Sequence, residues 1–165
     1  MINKVSKGAE FSTCGKYRYR LWRIWDESKP FVLFIMLNPS TADENKNDPT
    51  VERCERYARS WGAGGLHVCN LFAYRATAPD EMKAQLDPIG IDNNHAITSD
   101  AKKAGIVICA WGNHGAHVNR SNQVMLLLRS LEIPLHYLSV TGKKEPGHPL
   151  YLKKSLKPKL INWAV

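Results

Sequence analysis

Seven consecutive apolar residues, Phe31 to Leu37 (FVLFIML), stop at Asn38-Pro39-Ser40, and this junction constrains the chain more than any other stretch. A run so short and so uniformly apolar suits a strand buried on both faces, inside a sheet that helices cover on each side. In open α/β sheets, ligands bind in the crevice beyond the carboxyl ends of the central strands. Asn38 is therefore expected where chemistry is done. A polar loop then runs to Asp48. Asp48 followed by Pro49 supplies an N-cap and a first-turn proline, and Val51, Cys54, Ala58 and Trp61 recur at helical intervals. The pattern predicts a helix over about Pro49 to Trp61, stopped by Gly62.

The rest of the chain repeats this grammar. Leu66 to Phe72 (LHVCNLF) reads as a second buried strand, interrupted near its end by Asn70, whose side chain either pins a loop or faces a ligand. Ala73 to Gly90 is mostly loop with one short helix around Pro79 to Gln85, and Asn93 to Lys103 is a modest helix candidate. Ile106 to Trp111 (IVICAW) is a third buried strand, ending in Trp111, Gly112, Asn113, His114 and Gly115. Glycines flanking polar residues let backbone come close to a ligand, although an ordinary turn reads the same way. Ser121 is expected to cap a helix carrying Val124, Leu127, Leu128 and Leu131 on one face, and Leu135 to Val140 is the last strand. A polar loop, Gly142 to Leu152, follows, and the tail from Lys153 is read as a short helix. Before the central strand, Cys14 to Trp25 alternates with long amphipathic residues on both sides, as an edge strand does.

The expected fold is one α/β domain over residues 1–165: a three-layer α/β/α sandwich with a central, mainly parallel four-stranded sheet and an N-terminal edge strand. A net charge of +8 and a pI near 9.4 favour an anionic partner, nucleic acid or a nucleotide, with positive residues clustered at Lys16 to Arg23, Arg53 to Arg59 and Lys143 to Lys159. The four cysteines, at 14, 54, 69 and 109, lie far apart and read as reduced thiols. The N-terminus MINKVSKGAEF has no hydrophobic signal core and no apolar run is long enough to span a bilayer, so the expectation is a cytoplasmic protein with no membrane partner; a monomer is expected. Phosphate-loop, dinucleotide and serine-elbow motifs are missing, and a zinc site would have to be assembled from scattered histidines; neither cofactor nor metal is expected.

Loops after strands ending at Asn38, Asn70, Trp111 and about Val140 open on one rim, which gathers Asn38, Asp43, Asp48, Asn70, Arg75, Asn113, His114, His148 and Tyr151. Each has a plain alternative. Asp48 reads as a helix cap before it reads as a base, Asp43 can hold its loop as an Asx turn, His114 can be a turn residue, and His148 can cap the segment after it.

The order LNPSTAD, DPTVERCERYARSWG, VCNLFAYRAT, AWGNHG and GHPLYL closely resembles a bacterial and phage family catalogued as a domain of unknown function, over roughly residues 15 to 155. More distantly it resembles the mismatch-specific branch of the uracil-DNA glycosylase superfamily, a three-layer α/β/α fold. In that comparison Leu37-Asn38-Pro39-Ser40 stands at the turn whose Asn positions the attacking water. Cys69-Asn70-Leu71 with Arg75-Ala76-Thr77 stands at the second motif, Trp111-Gly112 at the third, and His148-Pro149-Leu150 at the last, where Leu150 replaces a serine that touches DNA phosphate.

The resemblance implies recognition of a nucleobase with cleavage of its N-glycosidic bond; a non-catalytic module of the same shape is the alternative. Cleavage needs water held on one face of the sugar and stabilisation of the departing base. Asn38 can orient water but cannot take its proton. Asp43 is the nearest carboxylate for that task, and His148 can donate to the base. Tyr74, Trp111 or Tyr151 can stack on it. Pro39, Ser40, Asn70, Arg75, Gly112, Asn113 and His114 complete the expected binding surface.

Overall fold

The structure, a computed structural model, describes residues 5–162. Among them are seven strands: β1 (Ser6–Phe11), β2 (Arg18–Ile24), β3 (Phe31–Met36), β4 (Gly65–Asn70), β5 (Ile106–Cys109), β6 (His136–Tyr137) and β7 (Lys159–Leu160). Four α-helices accompany them: α1 (Pro49–Ser60), α2 (Pro79–Lys83), α3 (Asn93–Lys103) and α4 (Arg120–Ser130). The strands form one mixed sheet in the order β1-β2-β4-β3-β5-β6-β7. Pairs β4/β3, β3/β5 and β5/β6 are parallel, while β1/β2, β2/β4 and β6/β7 are antiparallel.

The apolar run does what its composition dictates. Successive side chains of a strand point to opposite faces, so Val32, Phe34 and Met36 pack with Val51, Cys54, Tyr57 and Ala58 of α1, all buried. Leu33, Ile35 and Leu37 pack on the other face with Met82 of α2, Ile97 of α3 and Val124 and Leu128 of α4. Each such side chain contributes about 1.5–3 kcal/mol on leaving water. Helices on both faces therefore hold β3 at the centre of three layers. The chain leaves β3 through α1 to β4 on one side, and returns over the sheet through α3 to β5 on the other. That reversal beside β3 creates the crevice in which α/β proteins bind ligands.

α1 is set by local chemistry. Asp48 is its N-cap, accepting a hydrogen bond from the Val51 amide at 2.9 Å, Pro49 opens the first turn, and Gly62 beyond its end has φ +78°.

Several expectations need correction. The sheet is larger than four strands with one added edge. The alternating segment at the N-terminal side is not an edge, because β1 pairs outside β2 along Ser6 to Phe11. The third strand ends at Cys109 rather than Trp111, and the last shrinks to His136–Tyr137 with an isolated bridge between Val140 and Pro146. Ser121 is not a helix cap. α4 starts one residue earlier, after a kinked 3-10 turn over Asn113–Asn119 whose Val118 and Asn119 both have positive φ, and the Ser121 hydroxyl donates to Glu145 instead. The tail expected to be helical carries β7 among its described residues; residues 163–165 lie outside them. No helix among the described residues is long and apolar enough to cross a membrane.

Candidate functional site

A cleft of about 470 Å³ opens beyond the carboxyl ends of β3, β4 and β5. The strand ends are laced together where they reach it. The Leu71 amide donates to Met36 O at 2.8 Å, Phe72 to Leu37 O at 3.0 Å, Ala110 to Ile35 O at 2.8 Å and Ala76 to Pro39 O at 2.9 Å. Residues leaving the sheet are thus fixed before their side chains are aimed.

Asn38, Pro39 and Ser40 form one wall. The Asn38 Nδ2 donates to the backbone oxygens of Ala76 at 2.8 Å and Pro39 at 3.2 Å. Carbonyl oxygens only accept, so the amide orientation follows from the contacts. Among the described residues nothing donates to Asn38 Oδ1, which remains the acceptor this side chain offers to the cleft. Asn70 is 1 % exposed at the floor, and its Oδ1 accepts from Arg18 Nη2 at 3.5 Å. Its two readings are reconciled: it joins neighbouring elements and lines the cleft, with Nδ2 engaged by no protein acceptor among the described residues.

Asp48 is the cap the sequence suggested and also reaches the cleft, whereas Asp43 takes its plain alternative. Asp43 does not line the cleft; its Oδ1 accepts from the amides of Asn45 and Lys46, both at 2.8 Å, an Asx turn that holds its pKa below the ordinary carboxylate value. Asp48 does line it. One of its carboxylate oxygens caps α1, leaving the second without a protein donor among the described residues. The carboxylate at the site is therefore Asp48.

The last motif reaches the cleft because α1 holds it. Arg53 Nη2 donates to Leu152 O, and the Tyr57 hydroxyl to Lys153 O at 2.5 Å. These bonds set the 3-10 turn Pro149–Tyr151 against the helix, so that His148, Leu150 and Tyr151 line the same cleft as Asn38. His148 Nδ1 accepts from the Leu150 amide at 3.3 Å, so in the neutral ring the proton sits on Nε2. Burial pushes the His148 pKa below its ordinary 6.5, with the charge of Asp48 opposing. A neutral ring with an N–H at Nε2 is thereby favoured. It contributes stability above pH 6.5 that is lost as pH falls through that value toward the depressed folded pKa. An NMR titration of His148 should give a midpoint below 6.5, lower still in Asp48→Asn; a midpoint at or above 6.5 would contradict this environment.

Other expected residues divide. Gly112, with φ +75°, lies beside His148, its amide donating to Pro146 O at 2.7 Å. Any side chain here would be strained by the backbone. Asn113 and His114 line the outer edge, where Asn113 Oδ1 accepts from the Thr141 hydroxyl at 2.5 Å and His114 Nδ1 lies 2.7 Å from Lys83 Nζ. Trp111 is a wall rather than a free stacking ring: it is 1 % exposed and its indole N–H donates to Glu145 at 2.7 Å. Tyr151, 88 % exposed at the rim, is the aromatic with a face to offer.

Tyr74 and Arg75 do not line the cleft. Tyr74 packs edge-on against Tyr17 at 5.7 Å, and the Arg75 guanidinium lies 4.8 Å over the Phe11 ring while donating to Gly15 O. Both extend away from the sheet's end to hold the β1–β2 turn.

Two buried groups were missed. Arg18, 2 % exposed, lines the cleft floor and donates from Nη1 to Ala42 O at 2.9 Å. Asn93, fully buried at the start of α3, donates to the oxygens of Asn70 and Leu71 at 2.9 and 3.0 Å and fixes the end of β4. Nothing in the sequence separates Arg18 from its neighbours on an alternating basic strand. Asn93 carries a weak signal, a polar residue just before the apolar positions of a predicted helix.

No curated protein and no solved structure matches this sequence. The sequence pattern of a family described as "Protein of unknown function (DUF1643)" matches residues 18–150, a span that contains every strand end and motif lining the cleft apart from Tyr151, and the chain belongs to that family.

Proposed function

We propose that the cleft recognises a nucleobase, in nucleic acid or in a nucleotide, and hydrolyses its N-glycosidic bond. One observation carries the reading: Asn38, Asp48, Asn70 and His148, brought from four separate segments, meet in a single cleft with an exposed tyrosine at its rim. The resemblance of these motifs to those of uracil-DNA glycosylases supports the same chemistry. In this reading Asn38 Oδ1 orients a water, and its oxygen attacks C1′ of the sugar. The electron pair of the C1′–N bond leaves with the base, the water's proton passes to Asp48, and the Nε2–H of neutral His148 meets the charge on the base. Tyr151 stacks on the ring. Asp48 takes the part first expected of Asp43, because it is the carboxylate in the cleft.

The surface divides into two kinds of basic residue. Arg18 and Arg23 are buried, and half-buried Arg20 is paired with Glu10 and Asp100, so three cations of the expected N-terminal patch are already engaged within the protein. Lys143, Lys144, Lys153, Lys154, Lys157 and Lys159 are all exposed and flank the loop that carries His148. A polymer bound there neutralises its phosphates and releases counterions, so affinity should fall by about 0.9 log units per tenfold salt for each duplex phosphate contacted. A mononucleotide should give a much shallower slope. Titrating an oligonucleotide and its matching mononucleotide at several salt concentrations checks this, and equal affinity at low salt would remove the polymer. Leu150 in the cleft, where the glycosylase motif has serine, favours a second reading, a module that binds a base without turnover. Binding with no base released would select it.

A further inference from the structure

Arg18 is a buried cation that forms no direct ion pair among the described residues. The ion pairs formed among the described residues join Arg20 to Glu10 and Asp100, Lys29 to Asp26, Arg59 to Glu55 and His67 to Asp100; none includes Arg18. Its Nη1 and Nη2 reach neutral acceptors, Ala42 O and Asn70 Oδ1, and its Nε is buried with no partner among the described residues. Burial draws its pKa down to about 10, and the nearby charge of Asp48 acts in the other direction, so the guanidinium stays charged at neutral pH. A charge buried without an ion pair is costly, and proteins hold such groups where a charge is to be met. Beside it, Asn70 turns its Oδ1 to Arg18, and its Nδ2 is engaged by no acceptor among the described residues.

We propose that the cleft grips its ligand by an acidic edge, a ring nitrogen flanked by a carbonyl as in an imide or lactam base, and prefers the deprotonated form, with Arg18 supplying the opposing charge and Asn70 Nδ2 a hydrogen bond. This rests on the nucleobase reading above and names which bases it admits. The charge balance of the cleft favours an ionised ring over a phosphate. A phosphate would bring up to two concentrated charges into a cleft that also holds the Asp48 carboxylate, whereas an ionised heterocycle brings one charge spread over its ring and carbonyls. The same positive charge helps a base to leave, because cleavage of its N-glycosidic bond leaves negative charge delocalised over the ring and its carbonyls.

Calorimetric titration of the whole protein with uracil, with its C5-nitro derivative, which ionises near neutral pH, and with inorganic phosphate tests the inference. The nitrouracil anion should bind about tenfold more tightly than uracil, the margin of a charge-assisted over a neutral hydrogen bond. The margin should vanish at a pH that protonates nitrouracil. Asn70→Asp, which places a carboxylate beside Arg18, should abolish it without lowering Tm, while Arg18→Lys should keep it. Equal binding of the two bases, binding of neither, tighter binding of phosphate, or a preference that survives in Asn70→Asp would overturn the inference. Because no glycosidic bond is broken in this experiment, a protein that prefers the anion but releases no base keeps this inference and loses the cleavage claim. Equal binding with base release does the reverse.

Discussion

Asp48→Asn should retain its fold and lose base release by a factor of about 10²–10⁴, the contribution of a positioned general base. The substitution is selective because Asp48 has two tasks on two oxygens. One caps α1 through the Val51 amide, and asparagine caps a helix about as well as aspartate. The other faces the cleft, and there an amide cannot take a proton. Thermal melting should therefore change little while single-turnover release of base collapses. Asp43→Asn is the matched control: its carboxylate is turned to the amides of Asn45 and Lys46, so activity should stay within a few fold of the parent. Equal losses from the two substitutions would show that charge in the loop, rather than a base in the cleft, is what matters.

Arg23→Met should destabilise the protein by about 3 kcal/mol, lowering Tm by roughly 6–12 °C for a chain of this size. Arg23 is 7 % exposed and is the internal staple of the loop after β3. Its guanidinium donates to Asp43 O at 2.6 Å, Lys46 O at 3.3 Å, Gly8 O at 3.3 Å and Asn47 Oδ1 at 2.9 Å. Methionine fills part of the space but removes the donors, leaving Asp43 O and Asn47 Oδ1 without one among the described residues. The loop it secures runs directly into Asp48, so base release should fall as well. Urea titration of the parent and the variant measures the loss, and a change below about 0.5 kcal/mol, the range of an ordinary surface substitution, would show that the loop holds itself.

What the sequence disclosed depended on how local the cause was. The unbroken apolar run at β3 and the Asp48-Pro49 start of α1 are decided within a few residues, and both lie where periodicity and capping put them. The shared rim beyond β3, β4 and β5 followed, because parallel strands joined by helices must all terminate on one side, although the third strand stops two residues short of Trp111. Legibility ended where partners were remote. Two acidic residues five positions apart differ only in which way a loop turns, and that turn is set by Arg23 from another strand. Arg18, Arg20 and Arg23 read as a basic surface because alternation places a residue on a face without saying what covers that face; here the loop and α3 cover them. β1 was missed because its segment, SKGAEF, has little β-branched or aromatic content, and backbone pairing to β2 along its whole length makes it a strand. Tyr74 and Arg75 sit one turn past the strand end, where the chain has already bent toward Tyr17 and Gly15.

Chemistry at Asn38 and Asp48 is the centre of this account, and free base is its direct product. Single- and double-stranded oligonucleotides carrying uracil, hypoxanthine and phage-type modified bases, incubated with the protein and resolved by chromatography, should yield free base from at least one substrate. Asn38→Ala, which removes the acceptor offered to the attacking water, should release it at least about a hundredfold more slowly. Release of no base from any substrate, or release at the same rate by Asn38→Ala, would contradict the account.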